Sequence, residues 1–226
     1  MSTIEMPAIF KKFKKEILNK YKRMGLITPD KAKGIELRLF NFFKPAAITL
    51  WKNIIFDPYY YRNTVESYLT LVHETMHAYD QSRIGTNQFF ISYLWPQGLA
   101  LLSPIGLTGF HNKKLFFLLF LFLFYYFPAR RRVEYELRAY GLEAAMLYKI
   151  YPKAKADKMA KEKIDSALDF LKRNVLQGGY NSQISKTDMR KMYDKIKHDI
   201  TQESIYNEIE GFTERYKKTL NNMPEE

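Results

Sequence analysis

Residues 63–85 read NTVESYLTLVHETMHAYDQSRIG, and this stretch decides the fold around it. Its apolar positions recur at helical spacing. Asn63 or Thr64 can cap the start, with Glu66 three residues after Asn63 in capping-box position, and Gly85 stops the run. The spacing therefore predicts a helix from about Asn63 to Ile84. Inside it stands His73-Glu74-Thr75-Met76-His77. Positions i and i+4 of an α-helix share a face one turn apart, so two imidazoles can meet one tetrahedral zinc ion at about 2.0–2.1 Å. Glu74, one residue after the first imidazole, reaches water at the metal rather than the metal itself, where it can serve as general base.

The motif is unlikely as an accident of composition. With four histidines in 226 residues, chance supplies about 0.005 matches to His-Glu-x-x-His. There is no cysteine, which removes disulfides, thiolate zinc sites and cysteine nucleophiles. A metal must be held by histidine and carboxylate. A catalytic zinc needs a third protein ligand and an open fourth position; the candidates are His111, His198, Asp80 and the downstream glutamates. Residues 133–140, VEYELRAY, look helical and carry Glu134 and Glu136 two positions apart, on different faces, so only one of them can readily address His73 and His77. Asp80, three residues after His77, is open to three readings: a ligand, a partner that orients an imidazole, or an exposed helix acid, the last being the expectation. Tyr125, Tyr135, Tyr140, Arg138 and His111 are all able to stabilise an oxyanion, and the sequence does not rank them.

Residues 73–83, HETMHAYDQSR, resemble the HExxHAYDxCR stretch of the mitochondrial ATP-synthase-assembly metalloprotease family. Residues 136–140, ELRAY, are similar to that family's downstream Glu-Ile-Arg-Ala-Ala. SprT-like and other minigluzincin proteases share the looser plan of HExxH plus a glutamate from a second helix. The resemblance implies a gluzincin-type metallopeptidase with Zn2+ held by His73, His77 and Glu136, and Glu74 as base. It spans two short blocks. Ser82 stands where the family has cysteine, and the long apolar insert between the blocks is a second departure.

The charge along the chain is uneven. The chain holds 36 Lys and Arg against 24 Asp and Glu, a net +12, and residues 1–63 carry +8 of it (13 basic, 5 acidic). Residues 7–24 place Ile9, Phe10, Phe13, Ile17, Tyr21 and Met24 at helical spacing among seven Lys and Arg, a basic amphipathic helix whose apolar stripe is expected to pack on the domain; a membrane surface or nucleic acid are the other partners such a helix suits. Thr28-Pro29 opens a second helix ending before Pro45. Residues 48–56, rich in β-branched and aromatic side chains, read as one strand, suited to lie beside an extended peptide. Beyond residue 150 three apolar stripes follow: Met159 to Val175, Met189 to Ile200 and Ile205 to Leu220.

Residues 89–110 run 22 positions without a charge, and residues 115–127 are 13 unbroken apolar or aromatic side chains, followed by Arg130-Arg131-Arg132. At about 1.5 Å per residue the second run covers some 20 Å, short of the roughly 30 Å of bilayer hydrocarbon. The expectation is an apolar helical hairpin in contact with an anionic membrane surface or bilayer, with burial in a larger assembly as the rival. No secretory signal opens the chain, which predicts an intracellular protein, membrane-associated or carried in a viral particle.

These readings combine into a mainly α (α+β) fold: a basic N-terminal helix over 1–27, a minigluzincin-like zincin core over 28–152 with a small sheet and an insert at 89–129, and a C-terminal helical extension over 153–226. The expected function is zinc-dependent hydrolysis of protein or peptide substrates at a membrane. The alternative is a non-proteolytic structural or anchoring protein of a viral particle or membrane complex; a nucleic-acid-associated protease ranks below both.

Overall fold

The computed structural model describes residues 6–21, 23–27, 47–57, 61–95, 97, 99, 127–173 and 182–225. Of these, 72% are helical, and the strands among them form one small sheet, so the chain is mainly α with a minor β component. The elements in order are α1 (Ala8–Glu16), β1 (Gly25–Ile27), β2 (Ala47–Leu50), β3 (Asn53–Phe56), α2 (Val65–Ile84), α3 (Thr86–Leu94), α4 (Arg130–Ile150), α5 (Lys153–Lys172), α6 (Lys186–Ile200), α7 (Ser204–Arg215) and α8 (Lys217–Asn221). A 3-10 turn, Leu18–Lys20, follows α1. The expected helix over 28–45 and most of the apolar insert, including His111 and Tyr125, lie outside the described residues.

The apolar stripe of α1 goes inward. Ile9, Phe10, Phe13 and Ile17 are buried while Lys11, Lys12 and Lys15 stay in solvent. Phe10 meets Phe56 and Tyr61 at ring-centroid distances of 5.2 Å, and Phe13 meets Phe212 at 5.1 Å. Each such burial stabilises by about 1.5–3 kcal/mol. The helix is shorter than its stripe predicts. It leaves helical geometry after Glu16, and Tyr21 and Met24 pack from a turn that feeds β1.

The segment read as a single strand is a hairpin. β2 and β3 pair antiparallel, Leu50 opposite Asn53, and β3 pairs parallel with β1, giving the order β1-β3-β2. The two turn residues, Trp51 and Lys52, have φ of 46° and 65°. Positive φ at both central positions is the two-residue hairpin turn that glycine and asparagine usually fill, and neither residue advertises it. The turn is held from outside: Lys52 N–H donates to Gln81 Oε1 on α2 at 2.9 Å, and Gln81 Nε2 donates to Thr49 O at 3.3 Å.

Thr64 caps α2, accepting from Ser67 N–H at 3.1 Å. Pro224 O takes the Val65 N–H at 2.9 Å, so the end of the chain also closes this helix. Gly85, at φ 91°, stops it in a conformation that favours glycine. Fourteen of its 20 residues are buried, among them Ser67, His73, Glu74, Thr75, His77, Asp80 and Gln81. Against α2 lies α4, the helix on which α3, α5, α6, α7 and α8 also pack. One contiguous apolar cluster runs from Ile9 to Met223. No helix among the described residues is long and apolar enough to cross a membrane.

Candidate metal centre

Packing α2 on α4 brings two helical motifs face to face. His73 and His77, one turn apart on α2, place their Nε2 atoms 3.1 Å from each other. From α4, Glu136 sets Oε2 at 3.4 Å from His73 Nε2 and Oε1 at 3.7 Å from His77 Nε2. Donor atoms of all three residues lie within 4.8 Å of one another, and all three residues are buried. Ligands at about 2.0–2.1 Å around a tetrahedral ion stand about 3.3 Å apart; the observed separations bracket that value. This group could hold a metal ion.

The imidazoles are oriented differently. His73 Nδ1 lies 2.6 Å from Glu143 Oε1. A carboxylate only accepts, so Nδ1 carries a hydrogen toward Glu143, and Nε2 is the nitrogen that faces Glu136 and His77, free to hold either a proton or a metal ion. Glu143 is itself fixed by the Lys163 ammonium, which also reaches Glu66 Oε1 at 2.9 Å. His77 Nδ1, by contrast, is buried without a hydrogen-bond partner among the described residues.

Two carboxylates against two imidazoles make a centre that calls for positive charge. Burial by itself disfavours protonated His73, but Glu136 and Glu143 outweigh it and raise its pKa to about 10. Burial pushes the Glu136 carboxyl up, and the facing His77 and His73 pull it well below the ordinary carboxylate range. In the metal-free chain a proton on His73 supplies this charge. A divalent cation, taken by the same Nε2 and carboxylate oxygens, meets the same demand.

Glu74 follows His73 and is buried beside the centre. Thr49 Oγ1, from β2, lies 2.7 Å from Glu74 Oε2 and 2.9 Å from the Glu74 carbonyl oxygen. The hydroxyl pins one carboxylate oxygen and leaves the other for a proton. A cleft of about 140 Å3 lies in front, lined by Ala47, Ile48, Thr49 and Leu50 of β2, by the motif residues and by Phe89, Phe90 and Tyr93 of α3. It is smaller than the roughly 300–1,000 Å3 of sites for drug-sized ligands. The Tyr93 hydroxyl donates to Glu136 Oε1, and the Tyr93 ring stacks on Phe89 at 5.5 Å.

The structure thus separates the candidates. Glu136 converges with His73 and His77, whereas Glu134 points outward to Arg131 at 2.9 Å and Arg130 at 3.5 Å. His198 sits exposed in the last turn of α6. Asp80, expected as an exposed acid, is fully buried and held by both arms of Arg138 at 3.0 and 3.2 Å; neither a ligand position nor a hydrogen bond to an imidazole is its place. Arg138 also binds Glu203 at 3.0 Å, tying α2 and α4 to the start of α7, which removes it as an oxyanion donor. Tyr140 packs its ring edge on His73 at 4.6 Å, and Tyr135 bonds Ser92 at 3.0 Å. Sequence reasoning missed Glu143, Thr49 and Tyr93. Glu143 carried a legible signal, since seven residues after Glu136 is two turns along the same helix face. Compared with protein-family models, with curated proteins and with solved structures, the chain matches none.

Proposed function

We propose that the chain is a zinc-dependent metalloendopeptidase. One observation carries the reading: the carboxylate of Glu74 and a buried His-His-Glu donor set, drawn from α2 and α4, line one small cleft. The donor set is all nitrogen and oxygen, with separations suited to tetrahedral zinc. Zinc held by His73, His77 and Glu136 would supply Lewis acidity, polarising a carbonyl and lowering the pKa of water.

The chain's own residues supply the rest. Glu143 holds the His73 ring so that Nε2 faces the centre. Glu74, with one oxygen pinned by Thr49, accepts the proton of the attacking water on its other oxygen and returns it to the leaving amine. Strand β2, at the edge of the sheet, lines the cleft and offers its backbone to a peptide lying alongside, as strand addition requires. Phe89, Phe90 and Tyr93 make the opposite wall apolar, which favours large hydrophobic side chains next to the scissile bond.

The test is Glu74→Gln, assayed on an unfolded protein with zinc measured in the same samples. Hydrolysis is expected to fall at least about 1,000-fold, as removal of a general base combined with a mispositioned water allows, while about one zinc per chain is retained. Undiminished hydrolysis in the variant would refute the assignment.

A further inference from the structure

The cleft has an unusual rim. Among the described residues six large apolar side chains are exposed: Trp51, Ile91 and Leu94 each follow a cleft-lining residue in the chain (Leu50, Phe90 and Tyr93), Trp95 follows Leu94, and the other two are Phe127 and Tyr148. Trp51, at the tip of the β2–β3 hairpin, reaches the ring of Phe90 at 6.1 Å. Helix α3 puts Phe89, Phe90 and Tyr93 into the cleft and turns Ile91, Leu94 and Trp95 outward. Phe127 joins them through its carbonyl, which accepts from Gln97 Nε2 at 3.1 Å. The chain has only two tryptophans, and both stand on this rim, 65% and 56% exposed. A single exposed indole is ordinary, but two grouped with exposed aliphatic side chains mark an interaction site.

Cationic side chains border the same patch. Arg130 and Arg131 are 74% and 69% exposed and share a single carboxylate, Glu134. Arg132 lays its guanidinium over the Tyr93 ring at 5.1 Å. Indoles flanked by arginines match a lipid interface, where aromatic rings settle at the headgroup level and cations meet anionic phosphates. Helix α1, the other basic amphipathic segment, has no apolar face to give, because Ile9, Phe10, Phe13 and Ile17 fill the core.

We propose that this rim, formed by Trp51, Ile91, Leu94, Trp95 and Phe127 with Arg130 and Arg131 at its edge, docks on an anionic lipid bilayer and seats the mouth of the cleft at the membrane surface. Docking needs no metal and no hydrolysis. Its consequence for substrate choice, a preference for polypeptide segments lying at or emerging from a bilayer, rests on the peptidase reading above.

Because both tryptophans lie on the rim, the full chain reports docking through its own fluorescence. Adding phosphatidylcholine vesicles that contain phosphatidylglycerol should shift the emission to the blue, and brominated lipid should quench it, with a weaker response to phosphatidylcholine alone. Ile91→Ser with Leu94→Ser should weaken vesicle binding at least about tenfold, the loss of two apolar insertions. Arg130→Gln with Arg131→Gln should weaken binding to the anionic vesicles by about tenfold or more and leave the neutral ones unchanged. Emission unaffected by vesicles would overturn the proposal. So would undiminished binding by the Ile91→Ser, Leu94→Ser variant. A blue shift that grows with protein concentration in the absence of lipid would assign the rim to a second copy of the chain instead. Zinc content and hydrolysis of a soluble peptide, read on the same samples, separate this outcome from the peptidase assignment: a chain that docks without cleaving sinks only the latter.

Discussion

The α2–α4 interface and the α3 rim invert the usual distribution of polar and apolar groups. Between α2 and α4 the protein buries two imidazoles, Glu74, Asp80, Glu136 and Glu143; a few residues away, α3 and the hairpin tip leave two indoles and two aliphatic side chains in water. Buried charge is costly unless paired, and large exposed apolar patches are uncommon on monomers. Neither arrangement is explained by folding alone. The interior one is held by a chain of partners, Glu66, Lys163, Glu143 and His73 in sequence. Among the described residues the exterior one has no such chain of partners beyond the Trp51–Phe90 ring contact, and its cost ends when something apolar covers it. Position and chemistry are therefore held rigidly inside, while contact is left open outside.

The largest effect on the buried network is expected from Glu143→Ala. It strips His73 of its anchor and leaves Lys163 with Glu66 alone. Removing one member of a buried pair costs roughly 3–5 kcal/mol, and partial solvent access of Lys163 brings the expected loss to about 2–3 kcal/mol in denaturant unfolding. Zinc affinity should fall about 10–100-fold, the usual consequence of losing a carboxylate behind a histidine ligand. A variant with unchanged affinity would show that Glu143 serves packing only.

A smaller effect, in stability, follows from pH. His73 in the metal-free chain has its pKa raised from 6.5 to about 10. A group raised on folding contributes stability that is complete below pH 6.5 and lost progressively as the pH climbs through about 10. Glu136 and Glu143 are lowered, burial being outweighed by the facing imidazoles and Lys163, so their contribution is complete above the ordinary carboxylate pKa of 4.5 and lost as the solution is acidified further. Melting of the chelated protein should therefore be most favourable between about pH 5 and 6.5 and decline on the alkaline side. Zinc should abolish that alkaline decline, because the ion replaces the His73 proton. An alkaline limb identical with and without zinc would separate His73 from metal binding.

The smallest effect belongs to the rim. Ile91→Ser with Leu94→Ser, made on side chains that face solvent, should change stability by no more than about 0.5 kcal/mol per site. A loss of several kcal/mol would mean that these residues are core, and the contrast between the two regions would dissolve.

Much of the interior was legible because it depends on local periodicity. A cap, a stripe and a glycine stop predict α2, and the i, i+4 rule predicts that His73 and His77 share a face. The choice between Glu134 and Glu136 reduces to which face of α4 meets α2, and only packing decides it. What escaped depends on contacts between distant segments. The hairpin at Trp51 and Lys52 exists because Gln81, 29 residues later, takes the Lys52 N–H; no turn residue announces it. Asp80 reads as an exposed acid until Arg138 is known to sit against it. The apolar face of α3 was visible in composition, yet whether Ile91 or Phe89 faces water depends on which side the cleft lies.

The proposed function stands or falls on one zinc ion held by His73, His77 and Glu136. X-ray absorption at the zinc edge of the purified chain tests it most directly. The expected result is about one zinc per chain with two imidazole nitrogens and a carboxylate oxygen at about 2.0–2.2 Å, and loss of the oxygen contribution, with weaker binding, in Glu136→Gln. Zinc absent from the protein after exposure to the metal, or a spectrum that Glu136→Gln and His77→Ala leave unchanged, would contradict it.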